Sequence, residues 1–525
     1  MPPSIAVIRR RASFIAILLM AFSGHGIAQA SSVMDEQLIR KAAVATFPEF
    51  IEFLSIPNDA QVPGDDMGRN AQWLRSALGK RGFTIRTVEN AGRPIVFASL
   101  PSDPAKSTVL FYFHFDGQPV DPTQWSQPSP WTPVLKERQG GNWVGLPMER
   151  LHHKDFDAEH RVFARSVSDD KGPIMMFMAA LDLMRQEGVS PAVNVKLILD
   201  SEEEIKSPGL AAAIRQEAAF LKGDALIIHD GPGHASGRPT IVFGNRGAQS
   251  LVLTVFGPKA PQHSGHFGNY LPNHALNLAR LLSAMKDADG RVTIPGYYSR
   301  ISISDDDQAV LASSGDDEVS IRKRLGIASP EKVGASLQEA LQYPSLNIRG
   351  MAAGGVGKLG ANIIPRDAVA ELDIRITVEA DGPYLLGLVR GFIEEQGFLV
   401  LDREPTDAER ARHPRIARLE AGAHAHAARQ PMNTPVRHWA ESALTAAHAD
   451  APGGLRPVLL RTMGGSIPTY KIVSPLKLPF ALVSVVNSDN NQHAYDENLR
   501  MGNYVTGMRS MLGLLTTPYA GPSAP

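Results

Sequence analysis

The chain of 525 residues contains no cysteine, which excludes disulfides, a thiol nucleophile and a lipidated N-terminal cysteine. It also lacks an excess of either charge. With 53 basic and 54 acidic residues the formal net charge is -1, so no long-range field recruits nucleic acid or anionic lipid. Long apolar runs are missing after the first thirty residues, and spanning a bilayer takes about 20 apolar residues in succession. Neither a Gly-x-Ser-x-Gly elbow nor a His-Glu-x-x-His helix is present, which sets aside the serine-hydrolase and zincin classes. What remains, 43% hydrophobic and 20% charged residues, is ordinary globular composition, and the length suggests two domains.

The N-terminus carries Arg9-Arg10-Arg11, an apolar stretch from Phe14 to Phe22, and Ala28-Gln29-Ala30 before Ser31. This pattern reads as a signal peptide over residues 1–30, cleaved near Ala30. The expectation is a periplasmic or secreted protein that is not membrane-embedded once mature. The paired arginines match a twin-arginine signal only loosely.

Downstream, Leu38, Ala42, Ala45, Phe47, Ile51 and Leu54 recur at near-helical spacing until Pro57 and Asn58 stop the run. Short β-branched and aromatic runs follow at Val109 to Phe115, Val193 to Leu199, Ala225 to Ile228 and Phe480 to Val486, as buried parallel strands require. An amphipathic helix is expected from Pro173 to Glu187, giving the strand, helix, strand order of an α/β sheet. From about 245 to 425 the texture changes. Ser250 to Phe256 and Ala368 to Thr377 alternate like half-exposed strands, and Asn273 to Met285 looks helical, which suggests an inserted α+β domain with one wet sheet face. Residues 401–430, dense in Arg, His, Ala and Glu, look like a solvated connection.

Each apolar run ends at polar residues able to bind metal, and open α/β sheets place ligands at the carboxyl ends of their strands. The first cluster is His114-Phe115-Asp116, where a carboxylate two residues on can accept the other imidazole N–H. By itself this is more often a hydrogen-bonded core histidine. The second, Ser166-Val167-Ser168-Asp169-Asp170-Lys171-Gly172, precedes a helix, where capping accounts for one aspartate but less well for two. The third, Asp200-Ser201-Glu202-Glu203-Glu204, would ordinarily be a solvated acidic face. At a sheet edge its burial calls for cations, and a dinuclear metal centre supplies them. Asp230 and His493 are weak signals alone. Together the five positions offer two imidazoles and three carboxylates, a donor set that suits zinc, with manganese or cobalt also accommodated.

These residues resemble the dizinc metallopeptidases that include carnosinases, aminoacylases, acetylornithine deacetylase, succinyl-diaminopimelate desuccinylase and glutamate carboxypeptidases. The likeness rests on His114-Phe115-Asp116, Ser168-Asp169-Asp170-Lys171-Gly172, Glu203-Glu204 with Ser207, Asp230, His263-Ser264-Gly265, Asn362-Ile363-Ile364-Pro365, Arg375, Gly464-Gly465-Ser466-Ile467-Pro468 and His493. It implies an α/β catalytic domain over 31–244 and 426–520, with a mostly parallel sheet flanked by helices, and an inserted lid and dimerisation domain over 245–425. It further implies two divalent metal ions, with Asp169 bridging, His114 and Asp230 on one, and Glu204 and His493 on the other. Glu203 becomes the general base, and Asp116 orients His114. In the homodimer that the resemblance implies, His263 reaches a neighbouring subunit's site to stabilise an oxyanion. Arg375, Asn362 and Ser466 hold the substrate, the arginine gripping a carboxylate.

The expected reaction is hydrolysis of an amide bond in a small peptide or an N-acyl amino acid. The carnosinase branch carries Arg-Glu before Gly-Gly-Ser-Ile-Pro, where the glutamate binds the substrate amine; this chain has Thr462-Met463, which makes a blocked substrate end more plausible. Ser166 and Lys206 stand where the family commonly has glycine. Gly355-Val356-Gly357-Lys358-Leu359-Gly360 matches a dinucleotide fingerprint by spacing but opens no expected helix, and His424 and His426 read as surface residues. The competing class is an exported binding or scaffold protein that kept the fold without catalysis.

Overall fold

The computed structural model describes residues 34–450 and 455–521. The segment read as a signal peptide lies outside them. The described residues form two compact units. The first comprises the chain up to Ile241, Asn433–Pro457 and the residues from Pro475 on; the second comprises Val242–Met432 and Val458–Ser474.

In the first unit, six strands follow one another across the sheet in the order Thr84–Val88, Ile95–Ser99, Asn194–Asp200, Thr108–His114, Ala225–Ile228 and Phe480–Ser484. The first two pair antiparallel, and the remaining four run parallel to one another. The parallel strands are nearly continuous apolar runs because both of their faces are covered. Helix Glu36–Leu54 begins where the Asp35 carboxylate accepts from the Leu38 N–H at 3.0 Å, and it packs with Lys171–Gln186 and Met501–Thr516. Helix Lys171–Gln186 is buried along almost its whole length, from Ile174 through Met184. Each such aliphatic or aromatic side chain contributes about 1.5–3 kcal/mol on burial. The class read from the sequence, α/β with a mostly parallel sheet flanked by helices, is the observed one.

Register decides where chemistry gathers. His114 lies beside Asp200, and Tyr112 and Leu482 both lie beside Ile228, so the parallel strands deliver their carboxyl ends to one edge. The His114, Glu203-Glu204 and Asp230 segments all leave the sheet there.

In the second unit a five-stranded sheet has the order Ser345–Ala352, Asp367–Ile376, Gly247–Phe256, Ile416–Ala425 and Leu399–Leu401. Leu251, Leu253 and Val255 meet Ala368, Ala370, Leu372 and Ile374 in a core with residues of helices His274–Met285 and Gly382–Glu395. Burial alternates along Asp367–Ile376, as a sheet with one wet face requires.

The expectation for residues 401–430 needs correction. They are no mere solvated connection: Ile416–Ala425 is a ten-residue strand paired antiparallel with Gly247–Phe256. Its apolar side is short, limited to Ile416, Ala417 and Leu419, and Arg418 and Glu420 pair with each other at 2.9 Å. The composition therefore hid a strand that backbone pairing sustains. Gly357–Leu359 is a single tight turn, with no helix to receive a dinucleotide.

Candidate metal centre

Asp169 stands at the middle of the site. Its Oδ1 lies 2.9 Å from His114 Nε2 and its Oδ2 lies 3.1 Å from His493 Nε2. The structure thereby brings the five expected ligands into two overlapping groups, His114 with Asp169 and Asp230, and Asp169 with Glu204 and His493. Within each group one donor atom per residue lies within 4.8 Å of the others. His493 Nε2 is also 3.4 Å from Glu204 Oε2. His114 is fully buried, Asp169 and Asp230 are 5% and 6% exposed, and His493 is exposed. Asp230 Oδ2 is buried without a hydrogen-bond partner. Buried carboxylates in this number are costly without cations, and an orphaned carboxylate oxygen is the acceptor that a cation satisfies.

The electrostatics carry the same tension. Burial, and then the charge of Asp169, push the Glu204 carboxyl up to about 8. Burial also raises Asp230, to about 6. The hydrogen bond to Asp169 lifts His493 to about 9. Asp169 itself is held well below the usual carboxylate range by His114 and His493, against the opposing effect of burial.

Asp116 faces two elements of the site. Its Oδ1 is 3.4 Å from His114 Nδ1, and its carboxylate accepts the backbone N–H groups of Glu203 and Glu204 at 3.1 and 3.0 Å. One buried side chain thus ties down the acidic turn and lies against the imidazole, whose Nδ1 is buried without a hydrogen-bond partner. Glu203 belongs to neither ligand group, and burial, then the charge of Asp230, raise its carboxyl well above the ordinary value. His229 shows the contrast with a core histidine: its Nδ1 meets the Val483 carbonyl at 2.8 Å and it stacks on Phe113.

Capping does not explain Asp170, which makes no side-chain cap for the following helix. Its Oδ2 instead accepts the His114 N–H at 3.3 Å. Lys171 Nζ donates to the Phe53 and Ile56 carbonyls, each at 2.8 Å. The two departures from glycine also acquire a meaning: Ser166 has φ 60° and Lys206 φ 71°, the left-handed region where glycine is free of strain. At Ser166 the hydroxyl accepts from Asn58 Nδ2 at 2.9 Å, a bond glycine could not make.

Sequence reasoning missed three contributors and gave a fourth, Asp200, no role of its own. Gln118 Nε2 donates to Glu204 Oε2 at 2.6 Å and Gln492 Nε2 to Asp169 Oδ2 at 3.0 Å. Glu497 accepts the N–H groups of the loop that carries Asp169. Asp200 accepts from Tyr112 and Ser207 hydroxyls at 3.1 and 2.5 Å behind the acidic turn. Glutamines bear no motif signal; Glu497, four residues after His493 in Asp496-Glu497-Asn498, could have been suspected.

The remaining expected residues belong to the second unit. Arg375 Nη1 donates to the Ser466 hydroxyl at 3.2 Å, and its Nε is 3.4 Å from Asp373. His263 and Asn362 come together through pairing of Gln262–His263 with Ile363–Ile364 and through the Ser264 N–H, which donates to the Asn362 carbonyl at 2.9 Å. His263 is exposed, and its Nδ1 accepts from the Gly265 N–H at 3.0 Å.

The family model for peptidase family M20/M25/M40 matches residues 110–517. The chain belongs to that family. It is similar to the Cys-Gly metallodipeptidase dug1 of Schizosaccharomyces pombe, 25% identical over 422 residues covering 79% of this chain and 81% of the relative. It is also similar to the Beta-Ala-His dipeptidase of Homo sapiens, 24% identical over 439 residues, 79% of this chain and 76% of the relative. Among solved structures, the M20 family metallo-carboxypeptidase Sso-CP2 from Sulfolobus solfataricus superposes with a TM-score of 0.71 at 25% identity, over 90% of this chain and 98% of that one. This M20 chain is an enzyme, a metal-dependent peptide hydrolase.

The location read from the N-terminus is overturned. The Dug1 relatives are cytosolic enzymes, against the periplasmic or secreted protein expected. That expectation drew on composition within residues 1–30 alone, a pattern on which no part of the described fold depends. Among the described residues no helix is long and apolar enough to cross a membrane.

Proposed function

We propose that this M20 enzyme is a dipeptidase-type amidohydrolase that holds two divalent cations, zinc in preference to manganese or cobalt, on His114, Asp169, Glu204, Asp230 and His493. The observation that carries the reading is the double engagement of Asp169, whose two oxygens face different imidazoles at 2.9 and 3.1 Å. A mixed nitrogen and oxygen set of this kind suits zinc. When bound, the cations would polarise the scissile carbonyl and make water a stronger acid.

Glu203 takes the proton from the attacking water and returns it to the leaving amine, a role worth about 10²–10⁴-fold. Burial favours its protonated form, which suits the second half of that exchange. Asp116 keeps the His114 ring oriented while tying down the turn that carries Glu203.

Arg375, aided by Ser466 and Asn362, holds the substrate carboxylate; His263 stabilises the oxyanion from a partner subunit, with the second unit serving as lid and dimerisation domain of a homodimer. Two relatives are named for Cys-Gly and Beta-Ala-His dipeptides, which supports a small peptide as substrate. Met463 stands where the carnosinase branch carries its glutamate, and a thioether offers no charge to bind a free amine. N-acyl amino acids therefore stay within the proposed substrate range.

The test is Glu203→Gln, assayed on dipeptides and N-acyl amino acids with metal content measured alongside. Loss of turnover with two ions retained supports the assignment; unchanged turnover overturns it. No observation favours a non-catalytic scaffold.

A further inference from the structure

A cavity of about 370 Å³ opens within the second unit, between the segment 286–298, helix Glu318–Leu325 and the stretch 330–346. This lies at the small end of ligand pockets, about 300–1,000 Å³. Val292, Tyr298, Leu325, Ile327, Leu341 and Leu346 give it mainly apolar walls.

The charged side chains on its lining differ in one respect. Lys286 pairs with Glu331 at 2.8 Å, and Arg322 with Glu318 at 3.8 Å. Arg246 is only 6% exposed, and its Nε and Nη2 are buried without a hydrogen-bond partner. Asp373 exerts a favourable charge on it, but that carboxylate lies against Arg375 Nε at 3.4 Å. Burial, then the like charge of Arg375, bring the Arg246 guanidinium down to about 10. Leaving charged donors buried and unmade is expensive, and an anion that reached the guanidinium from the cavity, where Arg246 is part of the lining, would relieve both costs. The backbone here cannot easily turn away, because the Arg246 N–H donates to the Met463 carbonyl at 3.2 Å and its carbonyl accepts from Asn245 at 3.1 Å.

We infer that this cavity is a binding site for a small carboxylate with an apolar body, the carboxylate taken by the Arg246 guanidinium and the body by the apolar walls. A guanidinium fork matches a carboxylate in bidentate fashion. The inference does not depend on the metal ligands or on the substrate role given to Arg375.

Octanoate is the probe, titrated calorimetrically into the metal-loaded full-length enzyme. Saturable one-to-one binding is expected, with octan-1-ol and inorganic phosphate each weaker by at least about tenfold, since each supplies only half of the recognition. Arg246→Met should abolish octanoate binding; should that variant fail to fold, Ala340→Phe, which fills the cavity from its other wall, should abolish it too. Absence of saturable octanoate binding, equal affinity for octan-1-ol, or binding untouched by either substitution overturns the inference. So does binding lost in Arg375→Met and kept in Arg246→Met, which would place the carboxylate on Arg375.

Discussion

The Glu497 carboxylate accepts the backbone N–H of Asp169 at 3.1 Å. The same carboxylate takes the N–H groups of Ser166 and Ser168, each at 2.9 Å, and the Arg165 guanidinium at 2.9 Å. The segment that carries His493 therefore grips the loop that carries Asp169, so two proposed ligands 324 positions apart in the chain, counted from Asp169 to His493, are tied together by one buried acid.

Glu497→Gln should destabilise the protein by about 3–5 kcal/mol, the cost of leaving one partner of a buried pair unmatched. Arg165 and Glu497 side chains are 3% and 1% exposed, so solvent cannot replace the lost charge. Burial raises the Glu497 carboxyl in spite of Arg165, which locates its value in the four donors it satisfies rather than in attraction alone. Urea denaturation of the metal-stripped protein measures this. A loss below about 1 kcal/mol would mean the pair is dispensable.

Glu203→Gln should lower kcat by about 10²–10⁴-fold while KM and bound metal stay close to wild type. Glu203 lies outside both ligand groups, so the metal content separates a lost base from a lost ion. Metal analysis paired with steady-state kinetics on one dipeptide decides it, and a variant that loses both ions would make Glu203 a ligand.

The strand ends were legible because parallel strands buried on both faces are written as continuous apolar runs, and the residue that follows such a run emerges at the sheet edge. His114 and Asp230 can be placed this way from the sequence alone. Ile416–Ala425 was not legible: its apolar side is only three residues long and its outer residues pair with one another. Gln118 and Gln492 were invisible for a different reason, since an amide near a carboxylate has no spacing rule. The strain at Ser166 and Lys206 shows only in φ, which composition does not report.

Metal binding should release protons and tighten as pH rises from about 6 to about 9. Before metal enters, Glu204 sits near 8, Asp230 near 6 and His493 near 9. Glu204 and His493 therefore each hold a proton at neutral pH which the cation must displace, and Asp230 holds one only at and below about pH 6, because ligands bind as carboxylate or neutral imidazole. Below these values the protons win; above them the cation does. Calorimetric zinc titrations at pH 7 in buffers of different ionisation enthalpy report the protons released. Affinity that stayed flat between pH 6 and pH 8, with no release, would contradict the scheme.

Arg375→Lys should raise KM for a dipeptide with a free carboxylate by about 10- to 100-fold, the equivalent of losing a charged hydrogen bond of about 1.5–3 kcal/mol. Lysine keeps the charge but not the planar fork, so it should not restore bidentate recognition. The Arg375 side chain is 37% exposed and its pairing with Asp373 at 3.4 Å is loose, so stability should change by less than about 1 kcal/mol and the effect should fall on binding. The decisive comparison is with the same dipeptide amidated at its carboxyl end. Wild type should prefer the free acid strongly, and the variant should treat the two nearly alike. If both enzymes discriminated equally, the carboxylate would be held by some other residue, and Ser466 on Arg375 would be a structural contact only.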